Sequence, residues 1–289
     1  AVSGNDGDTN IAIGFAALGS GDVSGVGNIA LGQESLKVMT AGTNNIGIGL
    51  TAGDALLGGT DNIAIGRLSL SASTDGANNI AIGRSAFAAS VNDADNNIAI
   101  GLTAMGRSDV AGAENIALGS NAMDAMLAGA NNVAIGHDAM SAATTTQQSI
   151  AIGQEALGGG NVDGDYNIGI GYQSGNAIAA GDSNIAIGSN AADAVVAGAC
   201  NIAIGSDAFG SGVGGDLNIA IGIDALKGNS DDSGDYNIAI GYRAMDSCTG
   251  AALDNIAIGR VALRNIVSGN DNIAIGRGTA VTLTTGADN

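Results

Sequence analysis

One pentapeptide, Asn-Ile-Ala-Ile-Gly, recurs along the whole chain and limits what it can fold into. Copies open at Asn10, Asn28, Asn45, Asn62, Asn79, Asn97, Asn115 and Asn132, then at Ser149, Asn167, Asn184, Asn201, Asn218, Asn237, Asn255 and Asn272. These 16 copies follow one another at intervals of 17 to 19 residues, and Asn289 stands where another would open. A fixed period of this size marks a stacked-repeat architecture. Residues 1–289 therefore read as a single repeat array, part of a longer chain. A unit this short cannot fold alone, because ordering each backbone residue costs about 1–2 kcal/mol while a few buried side chains return roughly 1.5–3 kcal/mol each. Stacking changes the balance, since each coil then bonds to both neighbours.

The tolerances within the motif give its positions physical meaning. The second residue is Ile except at Val133, the third is Ala except at Gly47 and Gly169, and the fourth is Ile except at Leu31 and Leu118. The fifth is Gly in every copy. Large-small-large alternation of β-favouring residues predicts a short strand. The two Ile are expected to share the inner face as a continuous dry column, with the Ala on the opposite face against a close neighbour. The fixed Gly is expected to turn the chain at a corner. The Asn is expected to form a ladder of side-chain amides, each bonding to the next. The structural ladder is thus assigned to Asn45, Ile46, Ile48 and Gly49, to Asn132, Ile135 and Gly136, and to Asn201, Ile204 and Gly205.

Three residues beyond the Gly the chain carries Ala, Ser or Thr, and the next residue is Leu, Met or Phe in 12 of 16 copies. This second apolar anchor reads as a short strand or turn. Around Met123 and Met126 the spacing also fits one or two helical turns behind Ser120. Around Gly158, Gly159 and Gly160 a helix is not expected. The predicted fold is an all-β parallel β-solenoid, or β-roll, of 16 coils. Its thin core suits a chain with 2% aromatic residues and no Trp.

At this point the motif shows a likeness. The run Asn44-Asn45-Ile46-Gly47-Ile48-Gly49, and still more Gln148-Ser149-Ile150-Ala151-Ile152-Gly153, resembles the Asn-Ser-Val-Ala-Ile-Gly head repeat of YadA-like trimeric autotransporter adhesins. Similar Ala-Ile-Gly repeats occur in phage tail fibres. The resemblance runs the length of the chain, although the repeat here is longer than the family's. It implies a left-handed roll, three chains side by side, and a place outside the cell, on a cell or virion surface.

Charge narrows the partners. The chain carries 28 acids against nine bases, a net charge of −19, which repels nucleic acid and anionic lipid. No apolar run approaches the roughly 20 residues needed to cross a membrane. Catalysis finds little support: His137, the only His, occupies a position that is Arg67, Ser120, Gln154 or Tyr172 in other coils. No nucleophile has a His partner and no His/Cys cluster has metal-ligand spacing. Calcium is the one cofactor with candidate ligands, at Asp163 and Asp165, Asp93 and Asp95, and Asp231 to Asp235. Turn chemistry explains those Asp more simply, and no cofactor is expected. Arg67 and Arg84, and Arg260 and Arg277, are expected to stack and to face acids or solvent. Cys200 and Cys248 lie about three coils apart, too far for a disulfide. The function expected is a non-enzymatic structural or adhesive fibre, an adhesin head or tail-fibre shaft. Its expected partners are copies of itself, as a homotrimer or an end-to-end filament, and a host surface protein or glycan. An ice-binding roll ranks last, because the strands carry no Thr array.

Overall fold

The computed structural model describes residues 9–19, 23–90, 94–160, 163–211, 214–228, 234–248, 250 and 252–289. Two compact units, Ala1–Thr145 and Thr146–Asn289, divide the chain, and each is a parallel β-solenoid. The first unit contains β1 (Ile11–Ile13), β2 (Ile29–Leu31), β3 (Ile46–Ile48), β4 (Ile63–Ile65), β5 (Ile80–Ile82), β6 (Ile98–Ile100), β7 (Ile116–Leu118) and β8 (Val133–Ile135). The second contains β9 (Ile150–Ile152), β10 (Ile168–Ile170), β11 (Ile185–Ile187), β12 (Ile202–Ile204), β13 (Ile219–Ile221), β14 (Ile238–Ile240), β15 (Ile256–Ile258) and β16 (Ile273–Ile275). Within each unit consecutive strands pair in parallel and in register, as in Ile46↔Ile63 and Ile202↔Ile219. Among the described residues there is no helix.

The strand faces are the reverse of the sequence expectation. The Ala points into the coil and is fully buried, as at Ala64, Ala134 and Ala220, while the flanking Ile lie outward and half-buried. Val133 and Ile135 are therefore not core residues, and the same holds for Ile46, Ile48 and Ile204. The reason is the width of the coil. The neighbour that limits the Ala position is the chain's own second segment, whose Leu, Met or Phe fills the space opposite. A Cβ built on Gly47 would lie 2.7 Å from Leu36 Cγ, so no room remains for two Ile. Leu18, Leu70, Phe87, Met105, Leu157 and Phe209 are all essentially without exposure.

This anchor shares its space with a residue three positions on. Where the anchor is Gly, at Gly53 and Gly175, Leu56 and Ile178 are buried instead; where it is Phe87, the later residue is the small Ser90. In these coils size is traded between the two sites, whereas Leu36 and Met39, Met123 and Met126, and Leu263 and Ile266 fill both. The second segment is a run of turns. Asn121 and Met123 both have left-handed backbones (φ 56° and 51°), as do Glu155 and Leu157 (56° and 48°). Left-handed residues at alternate positions exclude the helical turns that the spacing around Met123 allowed.

Candidate functional surface

Polar chemistry in this protein is turned first on its own backbone. Asn45 is buried; its Oδ1 accepts the Asn62 backbone N–H (3.0 Å) and an Asn62 amide hydrogen (3.0 Å), and its Nδ2 donates to Gly59 O (2.7 Å). Asn201 repeats the pattern, accepting from Asn218 N (2.9 Å) and donating to Gly215 O (2.7 Å). Asn132 is likewise buried, and its N–H reaches Asn115 Oδ1 at 3.0 Å. Each rung satisfies backbone groups that burial would otherwise leave unpaired. The Gly ending each strand has φ between 126° and 145°, as at Gly49 (134°), Gly136 (145°) and Gly205 (133°). A Cβ on Gly205 would also stand 2.6 Å from Gly222 O. Both the corner and the close stacking of coils demand Gly.

The Asp of the turns do the same work at a second ladder, two residues before the Asn. Asp165 Oδ1 accepts the Gln147 N–H (2.8 Å), Asp182 Oδ1 that of Asp165 (2.8 Å), and Asp235 Oδ1 that of Asp216 (2.7 Å). Asp95 serves Ala77 in the first unit (2.7 Å). Of the calcium candidates, Asp163 is exposed at the surface, whereas Asp93, Asp231 and Asp232 lie outside the described residues. Among the described residues no three acids, His or Cys are grouped to hold a metal.

A third column, along the flank formed by the second segment, is ionic. In the second unit Lys227 Nζ lies 3.2 Å from Asp207 and 2.9 Å from Asp224; Arg243 Nε lies 3.2 Å from Asp224; Arg264 Nε lies 3.0 Å from Asp246. The hydrogen bond from Lys227 leads the effects that hold the Asp224 carboxyl below its ordinary range. Burial acts the other way on Asp54, Asp124 and Asp193, raising all three, with Arg107 (3.1 Å) partly offsetting the effect at Asp124. Asp54 Oδ1 is buried without a hydrogen-bond partner. His137 Nδ1 meets Asp138 Oδ2 at 2.9 Å on the exposed surface.

What remains outward is the strand face, and it is apolar. Two Ile, Leu or Val per strand stand in parallel columns, with Leu31, Ile116, Leu118 and Ile152 each more than a third exposed. The strand residues on this face carry no charge. Its borders are the residue before the Asn and the residue after the Gly. These include the exposed Tyr166 and Tyr172 around β10, Leu217 and Ile223 around β13, and Tyr236 and Tyr242 around β14. Arg260 stacks over the Tyr242 ring of the preceding coil at 5.8 Å. Arg67, Arg84 and Arg277 also occupy the border. Cys200 is an exposed border residue, Cys248 is buried in the core with its Sγ 3.7 Å from Gly250 O, and neither is in a disulfide.

Of this border, the motif marks only the variable residue after the Gly. The residue before the Asn, the Asp ladder and the ionic flank leave no motif, because each is a column that shows only between copies set in register. Neither a protein-family model nor a curated protein matches the chain.

Proposed function

We propose that this protein is the structural shaft or head of an extracellular fibre, in which copies of the chain associate side by side over the outward Ile face. The observation that carries this reading is that face itself. Every strand presents two half-buried or exposed aliphatic side chains to the outside, in unbroken columns through each unit. Contiguous apolar surface on that scale marks an interaction site. The partner must be as straight and as regular as the face, and another copy of the same repeat meets that condition.

The Ala face cannot serve, because the chain's own second segment covers it. Association through the Ile face also keeps the charge outward. Three copies would carry three times −19, or −57, and the ladder Asp and ionic flank lie off the apolar columns. The resemblance to YadA-like heads supports three chains and a cell or virion surface. The ladder Asp accept backbone hydrogen bonds and Asp207, Asp224 and Asp246 sit in ion pairs, which suits a structural role.

Light scattering on the purified chain tests the reading. A discrete parallel oligomer, seen as rods by electron microscopy, is expected. A stable monomer of 27.7 kDa would overturn it, and open-ended growth along the stack would favour an end-to-end filament.

A further inference from the structure

In the second unit the two borders of the outward face match each other coil by coil. The residue before the ladder position and the residue after the Gly are Gln148 and Gln154 at β9, and Tyr166 and Tyr172 at β10. They are Ser183 and Ser189 at β11, Cys200 and Ser206 at β12, and Leu217 and Ile223 at β13. The series ends with Tyr236 and Tyr242 at β14, Asp254 and Arg260 at β15, and Asp271 and Arg277 at β16. Amide faces amide, aromatic faces aromatic, aliphatic faces aliphatic, and acid faces base. All but the half-buried Ser206 are exposed.

This matching has no use within one chain. The two members of a pair are six residues apart with an extended strand between them, up to about 20 Å at full reach. Asp254 and Arg260, both among the described residues, form no ion pair with each other. Within its own chain the last two coils set like charges one strand spacing apart, about 4.8 Å: Arg260 beside Arg277, Asp254 beside Asp271. The ion pairs found in this unit run along the flank, through Lys227, Arg243 and Arg264; at the border Arg260 lies over the Tyr242 ring and is not paired with an acid among the described residues.

We infer that the borders are a register code for self-association: copies lie parallel and unshifted, the leading border of one against the trailing border of the next. The inference rests on the side-by-side assembly proposed above and fixes its direction and register. Rotation about any axis parallel to the stack brings unlike borders together at the same height, so each matched pair becomes a contact. Asp254 then meets Arg260, and Tyr236 meets Tyr242. An antiparallel arrangement places like borders together, Arg against Arg and Asp against Asp where their heights coincide, and gains none of these pairs. A slip of one coil sets Tyr236 against Ile223 or Arg260 and breaks the match along the unit.

Disulfide trapping at β12 tests this. With Cys248→Ala removing the buried thiol, Ser206→Cys places a thiol on the border opposite Cys200. An intrachain bridge is impossible, because the Cα atoms must come within about 7 Å. Mild oxidation should convert most of the protein to a ladder of covalent species ending at the oligomer seen by light scattering. Gln154→Cys, three coils or about 14 Å away along the axis, should give none. Unchanged melting temperature shows that each variant folds. As an independent check, Asp254→Arg should weaken assembly at least tenfold, and adding Arg260→Asp should restore it.

Trapping by Gln154→Cys instead of Ser206→Cys, or a Cys200–Cys200 dimer in the C248A parent, would overturn the register or the parallel direction. An oligomer that forms but is never trapped at this rung would overturn the border pairing while leaving self-association standing. A monomer in light scattering would remove the underlying assembly itself.

Discussion

At the residue scale the coil depends on two kinds of position, one steric and one polar. Gly205 combines a φ of 133° with a carbonyl 2.6 Å from where a Cβ would sit. Gly205→Ala should therefore cost about 1–3 kcal/mol by backbone strain alone, read as a lower denaturation midpoint with unchanged slope. The polar position shows a built-in substitution. At Ser149 the ladder lacks an amide, and two hydroxyls replace it. Ser149 Oγ accepts the Asn167 N–H (3.0 Å) and Thr146 Oγ1 donates to Gly164 O (2.6 Å). In other coils a residue as large as Thr at that second site would crowd the Asn, since a Cβ on Gly198 stands 2.9 Å from Asn201 Nδ2. Thr146→Gly should cost about 1–2 kcal/mol, because it leaves a buried carbonyl unpaired. Adding Ser149→Asn should recover most of that loss, whereas Ser149→Asn alone should destabilise. Additive effects in a double-mutant cycle would refute the coupling.

At the scale of the element, each coil stands on one or two large side chains, and coils differ in reserve. The coil of β9 has Leu157 followed by three Gly, so Leu157→Ala should cost about 3–5 kcal/mol, near the top of the range for such truncations. Leu36→Ala, with Met39 buried beside it, should cost less. Denaturant titration of the two variants makes the comparison. The ionic flank adds a pH signature of mixed sign. Asp224 has a folded pKa below its unfolded value, so its stabilisation is present above the unfolded pKa and is lost as pH falls through the folded one. Asp193 is raised by burial, then by Asp207, so its ionised form opposes folding and protonation relieves the penalty. Asp193→Asn should raise the melting temperature at pH 7, and the gain should vanish on acidification through the raised pKa. A constant gain at all pH values would mean that the effect is not ionisation.

At the scale of the whole molecule the same strand separates folding from the proposed assembly. Ala220 faces the core and Ile219 and Ile221 face outward. Ala220→Ile should destabilise the fold by about 1–3 kcal/mol through overpacking. Ile221→Lys should leave the melting transition of the isolated chain nearly unchanged and shift light scattering toward monomer. If Ile221→Lys unfolds the protein while Ala220→Ile is tolerated, the strand faces are the other way round.

The sequence alone determined the period, the strand in each coil, the place of the obligatory Gly and the presence of the Asn ladder. These are local demands: a three-residue strand, a left-handed corner and a repeated amide are set by the residues that make them. Periodicity could also say that Ile and Ala lie on opposite faces, but not which face was inside. That choice belongs to the tertiary structure, because it turns on the width of the coil and on what the second segment puts across it. Leu36, Met105 and Phe209 fill that width, so only Ala fits opposite, and Asn, two residues earlier, is drawn inside with it. The turn conformation of the second segment was illegible for the same reason. Leu and Met in left-handed backbone are held there by coil-to-coil bonds such as Leu70 N–H to Ala86 O, which exist only once the neighbouring coil is in place.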